Sequence, residues 1–240
     1  IFLILSSQGL ADDKVRLVSM EPAGEVSTRT NFTFTFSADV IPRSQVGTVT
    51  TTDKIRFRPA VPGKIRWEST RKLSYLPEVT LRPSTAYTVE ISPDLPAVLN
   101  KSMAGNLRLE FSTERFRIED HNLSFIYNPD QKKGLMFQAR ISFNYPVSPE
   151  SLQRSLSLVF TDTRRPIRFS VRMANNGRDA IITSALLQRE RTARRIEISL
   201  PAGFICQDGG IGLKEKFVKT ESLAERRALA LWTHARLCAE

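Results

Sequence analysis

The chain has 240 residues, of which 41% are hydrophobic and 25% charged, with a formal net charge of +10 and an isoelectric point near 10.0. That length suits one large domain or two of roughly 100–120 residues, and the composition is ordinary for a globular protein with a real core. Two cysteines, Cys206 and Cys238, exclude a disulfide-dense scaffold and any multi-cysteine zinc site.

The first eleven residues, IFLILSSQGLA, read as the end of a secretory signal peptide: an apolar run, a polar stretch, then small Gly9 and Ala11 before a cleavage point. A mature first strand is the alternative. The run is too short to span a bilayer, and no other segment approaches the roughly 20 apolar residues that spanning requires. No cysteine follows Ala11, so a lipoprotein anchor at that junction finds no support.

From residue 14 onward, short apolar-alternating runs follow one another between Pro, Gly, Asn and Asp punctuation. The expected strands are KVRLVSM, NFTFTFS, KIRFRPA, KIRWEST, KLSYLPE, AYTVEIS and LRLEFST. In NFTFTFS the period of two puts Phe32, Phe34 and Phe36 on one face, the core side of a sheet strand. Seven such strands within about 100 residues predict an immunoglobulin-like sandwich. Trp67 and Tyr75 on neighbouring strands read as core aromatics, with a surface platform for glycans as the functional alternative.

The second half repeats the first at a spacing of 107 residues: Phe36, Val40, Val89, Glu90, Ile91, Phe111 and Thr113 answer to Phe143, Val147, Ile196, Glu197, Ile198, Val218 and Thr220. The expectation is an all-β chain of two tandem immunoglobulin-like β-sandwiches with a short C-terminal helical tail. Its parts are a signal-peptide remnant at 1–11, sandwiches at 12–114 and 115–221, and a helical connector or non-native tail at 222–240. The tail shows a capping-box pattern at Ser222 and Glu225 ahead of Ala228, Leu231, Trp232 and Ala235 at helical spacing.

Motifs that carry chemistry fail one by one. There is no HExxH, paired CxxC, phosphate loop or GxSxG elbow. His121, in EDHNLS, is expected at a turn or strand edge, and neighbouring Glu119, Asp120 and His121 in an extended strand make poor common ligands for a cation. His234 lies in the tail. QDGGIG, Gln207–Gly212, lacks dinucleotide-loop spacing and reads as a flexible hairpin. The sequons NFT, NKS and NLS carry no weight. No catalytic, cofactor-binding or metal-binding residue is assigned, no cofactor is expected, and the chain is not expected to be an enzyme.

The positive charge concentrates in the second half, in Arg140, Arg154, Arg164, Arg165, Arg168, Arg172, Arg178, Arg189, Arg191, Arg194 and Arg195. Alternation with apolar residues places these on the solvent face of strands, where charge guards sheet edges. Weak polyanion binding is the functional alternative. No specific nucleic acid is expected, because aromatics are not interleaved as stacking platforms.

A family resemblance rests on SMEPAGEVSTRTNFTFTFSADVIP, on IRFRPAVPGKIRWESTRKLSYLPEVTLRPSTAYTVEI and on LRLEFST, within residues 16–113. Together these resemble the Ig-like domain near the amino terminus of bacterial alpha-2-macroglobulins, and the second module is similar to the domain that follows it there. The resemblance implies an exported protein, periplasmic or at the cell surface, whose parent entraps proteases through a bait segment and a Cys-x-Glu-Gln thioester. Cys206 is followed by Gln-Asp-Gly and Cys238 by Ala-Glu, so no trapping residue carries over. The chain would be the non-catalytic amino-terminal scaffold of such an inhibitor, with other domains of a longer parent chain as partners and proteases engaged only through that parent. A module of an adhesin or surface-layer protein, and an accessory module of a secreted hydrolase, are the alternatives.

Overall fold

The computed structural model describes residues 14–95, 102–127, 134–188, 190 and 192–224. The signal-peptide remnant, His234, Cys238, Arg189, Arg191 and most of the tail lie outside the described residues. The chain divides into two compact units. The first runs to Phe116 and includes Asp208–Ile211; the second runs from Arg117 to Gln207 and resumes at Gly212.

The first unit contains β1 (Lys14–Glu21), β2 (Gly24–Val26), β3 (Phe32–Phe36), β4 (Val49–Thr50), β5 (Ile55–Arg58), β6 (Gly63–Ser69), β7 (Lys72–Pro77), β8 (Ala86–Ile91), β9 (Ser102–Ala104) and β10 (Arg108–Thr113). One sheet has the order β4-β6-β7-β3-β1-β9 and the other β2-β10-β8-β5. All seven strands read from the sequence are present. The additional three are β2, β4 and β9, which are too short to show a period.

Period-two burial explains the arrangement. Phe32, Phe34 and Phe36 are buried, while Thr33 and Thr35 alternate on the outer side. The ring of Phe32 meets Phe111 of the opposite sheet at 4.7 Å and Phe57 at 5.4 Å, so the two sheets close a sandwich over an aromatic core. Trp67 and Tyr75 belong to that core and not to a surface platform. Tyr75 donates its hydroxyl to the Val61 carbonyl at 2.6 Å, which satisfies the one polar atom that the ring brings inside.

QDGGIG is anchored rather than flexible at its centre. The N–H groups of Gly210 and Ile211 both donate to the Ser84 carbonyl, at 3.0 and 2.6 Å. Ser84, itself buried at φ +43°, donates its hydroxyl to the Ile211 carbonyl and accepts from the Phe116 N–H. Those bonds hold a serine in the left-handed region that non-glycine residues seldom occupy.

The second unit contains β11 (Ile118–Tyr127), β12 (Leu135–Phe143), α1 (Pro149–Ser155), β13 (Ser157–Phe160), β14 (Phe169–Ala174), β15 (Asp179–Ser184), β16 (Arg194–Leu200) and β17 (Phe217–Leu223). Its sheets have the orders β11-β12-β15-β14 and β13-β16-β17. The inward residues Phe137, Ala139, Ile141, Phe143, Ile182, Ile196 and Ile198 are fully buried. Helix α1 starts at Ser148, whose side chain accepts from the Ser151 N–H, with Pro149 in the first turn.

The order β14-β15-β12-β11 reproduces β6-β7-β3-β1, and β13-β16-β17 reproduces β5-β8-β10. Register follows as well. Phe34 faces Leu73 across β3 and β7, and Ile141 faces Ala180 across β12 and β15, each residue displaced by 107. A register shift between Leu17 and Ser19, opposite Phe36 and Thr35, recurs between Ile118 and Asp120, opposite Phe143 and Ser142.

The closing strand departs from the repeat read in the sequence. Tyr87 faces Phe111, but its counterpart Arg194 faces Leu223, which lies 112 residues after Phe111. Leu223 is 2% exposed and Val218 39%, so burial selects Leu223 as the structural successor of Phe111. The same pairing corrects the tail: Ser222 lies inside β17 and does not cap a helix. Cross-strand pairing and burial of Leu223 outweigh a local capping pattern there.

Candidate functional site

His121, the one histidine among the described residues, lies on β11 with its ring edge-on to Phe217 at 5.4 Å. Its neighbour Asp120 takes the opposite face of the strand, and Glu119 pairs with Arg117 at 3.2 Å. Among the described residues no group of three or more His, Cys, Asp or Glu side chains could hold a metal ion. Cys206 is buried.

A dense polar arrangement surrounds Arg194 at the start of β16. Its Nε and Nη2 donate to the two carboxylate oxygens of Asp162, each at 3.0 Å, and Nη1 donates to Glu190 at 2.7 Å. The guanidinium lies 3.7 Å above the ring of Phe160, and the side chain is only 10% exposed. This is a forked pair with a cation–π contact beneath it, a geometry that lysine could not supply. The hydrogen bond from Arg194 holds the Asp162 carboxyl below the ordinary aspartate range, and Asp162 in turn pushes Arg194 further up. Nothing in the sequence signalled this node, because its members come from two stretches about 30 residues apart, the end of β13 with the turn after it and the approach to β16.

The arginines therefore divide by task. Arg194 and Arg164 are engaged by carboxylates, the latter by Glu197 at 3.3 Å. Arg154, Arg165, Arg168, Arg172, Arg178 and Arg195 are exposed. Arg140 and Arg172 share one outward row of the sheet with Ile181 between them. Those six exposed arginines come from α1, the β13–β14 connection, β14, the β14–β15 turn and β16.

Concavities on the first unit are shallow. One of about 550 Å³ is lined by Ile55, Phe57, Val61 and Tyr75 at the β5 edge. Another of about 390 Å³ holds Asp53, Lys54, Arg56, Glu90 and Asp94, where Lys54 and Asp94 approach within 3.9 Å and offset each other's charge. Burial raises the Tyr75 hydroxyl above the ordinary tyrosine range, with Glu78 adding to it, but its hydrogen bond to Val61 commits it to structure. The chemistry on display is that of packed sheets and surface ion pairs.

Residues 11–113 match the family model of the bacterial Ig-like domain. The first unit is thus an Ig-like domain. Solved structures with similarity to the chain include L,D-transpeptidase 3 from Mycobacterium tuberculosis in complex with a faropenem-derived adduct, 14% identical with a TM-score of 0.29. That similarity covers 66% of this chain and 63% of the transpeptidase, so the chain spans less than two thirds of that relative. An L,D-transpeptidase from Mycobacterium smegmatis is 13% identical with a TM-score of 0.30, over 72% of this chain and 75% of that one. A conserved domain protein from Bacillus anthracis is 12% identical with a TM-score of 0.20, over 82% and 83% of the two chains. No curated protein matches the chain. Among the described residues no helix is long and apolar enough to cross a membrane.

Proposed function

We propose that this chain is a non-catalytic scaffold region of an exported bacterial protein, built from two tandem Ig-like β-sandwiches at about residues 12–114 and 115–221. The observation that carries the proposal is the recurrence in the second unit of the strand order, the β3–β7 register and the β1 bulge of the Ig-like domain. Two copies of one module, each closed over its own apolar core, serve to space and orient neighbouring parts of a parent chain. Export to the periplasm or cell surface agrees with the match to the bacterial Ig-like family and with the apolar-then-small pattern of residues 1–11.

The parent proposed is an alpha-2-macroglobulin-like protease inhibitor, on the strength of the PAVPGKIRW hairpin and the L-x-P-x-T-x-Y-T-V segment from Leu81 to Val89. In that setting these residues bear no trapping chemistry and hold the entry end of the inhibitor together. Reading the coding sequence beyond residue 240 and assaying the protein it encodes tests this. Further β modules with a Cys-x-Glu-Gln, and protease entrapment abolished by methylamine, are the expected results. A wall-anchor signal after more short Ig repeats, or a glycosidase carboxylate pair, would replace the inhibitor with an adhesin or a hydrolase.

A further inference from the structure

The two units treat the outer edge of the same strand differently. In the first unit β9 runs parallel to β1 and pairs Lys14, Val15 and Arg16 with Ser102, Met103 and Ala104, and β2 covers β10 in the same way. In the second unit the equivalent β11 pairs with β12 on one side, and among the described residues no strand pairs with its other side. The reason is the path of one connection. Between β8 and β10 the chain turns back to form β9; between β16 and β17 it buries Phe204, Cys206 and Leu213 and contributes no strand.

Exposed sheet edges are normally guarded by shortness, by charged side chains, by Pro or by a β-bulge. The other edge strands obey this. β4 and β9 have two and three residues, β5 carries Arg56 and Arg58, β13 has four residues, β14 carries Arg172 and β17 carries Lys219. β11 is the longest at ten residues, and its guards, Glu119, Asp120 and the bulge beside them, sit at its start; the seven residues from His121 to Tyr127 carry no Lys, Arg, Asp, Glu or Pro. Its inward residues His121, Leu123 and Phe125 are half-buried, whereas Val15 beneath β9 is fully buried.

We infer that β11 is a self-association edge, which pairs antiparallel with β11 of a second copy of this chain about a two-fold axis at Leu123. The sequence is compatible with itself in that register. Leu123 faces Leu123 of the second copy, Asn122 faces Ser124, His121 faces Phe125, and Asp120 faces Ile126, so no like charges are opposed. Glu119 is already neutralised by Arg117. The inward row His121–Leu123–Phe125 is continued by the same row of the second copy, which completes burial of residues left half-exposed in one chain.

The test uses the intact chain and the double variants Asn122→Lys with Ser124→Lys and Asn122→Glu with Ser124→Glu. Both positions face outward, and in the stated register each variant opposes like charges across the axis. Sedimentation and light scattering from micromolar to submillimolar concentration should show wild type approaching twice 27.1 kDa. Each double variant should remain at the monomer mass, and an equimolar mixture of the two should associate again. Amide exchange on the wild type gives a readout independent of any variant: protection of residues 120–125 should rise with concentration. A wild type that stays monomeric, a dimer that survives the lysines, a mixture that fails to associate, or a dimer without concentration-dependent protection of 120–125 would each overturn the inference.

Discussion

The first unit closes both of its sheets with short strands of its own, and the second, with the same central strand order, does not. β9 and β2 seal β1 and β10, whereas β11 and β17 end their sheets among the described residues. The connection between the last two long strands makes the difference. In the second unit it folds on itself, with the Gly203 N–H donating to the Leu213 carbonyl at 2.8 Å and the Leu213 N–H to the Phe204 carbonyl at 2.9 Å. A fixed frame of buried alternation tolerates different closures, because the frame is stabilised by its inner faces and the closures act only at its edges.

Substitutions at matched positions can break or sharpen this comparison. Phe34→Ala should destabilise the first unit by about 3–5 kcal/mol, and Ile141→Ala the second by about 2–5 kcal/mol, since both side chains are fully buried opposite β7 and β15. Denaturant unfolding measures both, and a wild-type midpoint for either would remove that strand from its core. Next comes the closing strand. Leu223→Ala should cost about 2–5 kcal/mol and Val218→Ala less than about 0.5, the reverse of what a constant spacing of 107 would require.

The third contrast concerns two threonines that the sequence repeat aligned. Thr113 accepts from the Thr85 N–H at 2.9 Å and donates to the Arg82 carbonyl at 2.7 Å while fully buried, but Thr220 is exposed. Thr113→Val should therefore cost about 1–3 kcal/mol by leaving those groups unpaired, and Thr220→Val should leave the thermal midpoint within experimental scatter. The smallest effect is at Asp162. Its carboxyl is held low by the hydrogen bond from Arg194, so its contribution to stability is present above the ordinary aspartate range and is lost as pH falls through the folded value. Asp162→Asn should lower the melting temperature slightly at neutral pH and have no effect in strong acid; an equal loss at both extremes would assign the effect to something other than charge.

Much of the first unit was legible because its strands alternate cleanly: NFTFTFS, KIRFRPA and AYTVEIS each show the period of two that their burial then follows. Short pieces such as β2, β4 and β9 were not legible, since two or three residues cannot show a period. Helix α1 had a readable signal in Ser148-Pro149, an N-cap followed by proline in the first turn, which the surrounding β pattern obscured. The repeat was legible in the central strands, where one spacing preserves both burial and register. It was misread at β17, because Val218 and Thr220 fit a constant spacing by residue type while Leu223 fits by burial. The Arg194 node was out of reach, as it depends on two stretches, 160–162 and 190–194, meeting in space.

The central claim is that the second unit repeats the strand order of the first with a re-registered closing strand. Nuclear magnetic resonance of the intact chain tests it most directly, through cross-strand contacts made by the Arg194 backbone. The account predicts contacts from Arg194 to Leu223 and from Leu200 to Phe217. Contacts from Arg194 to Val218, the position that a constant spacing of 107 would place opposite it, would contradict the account.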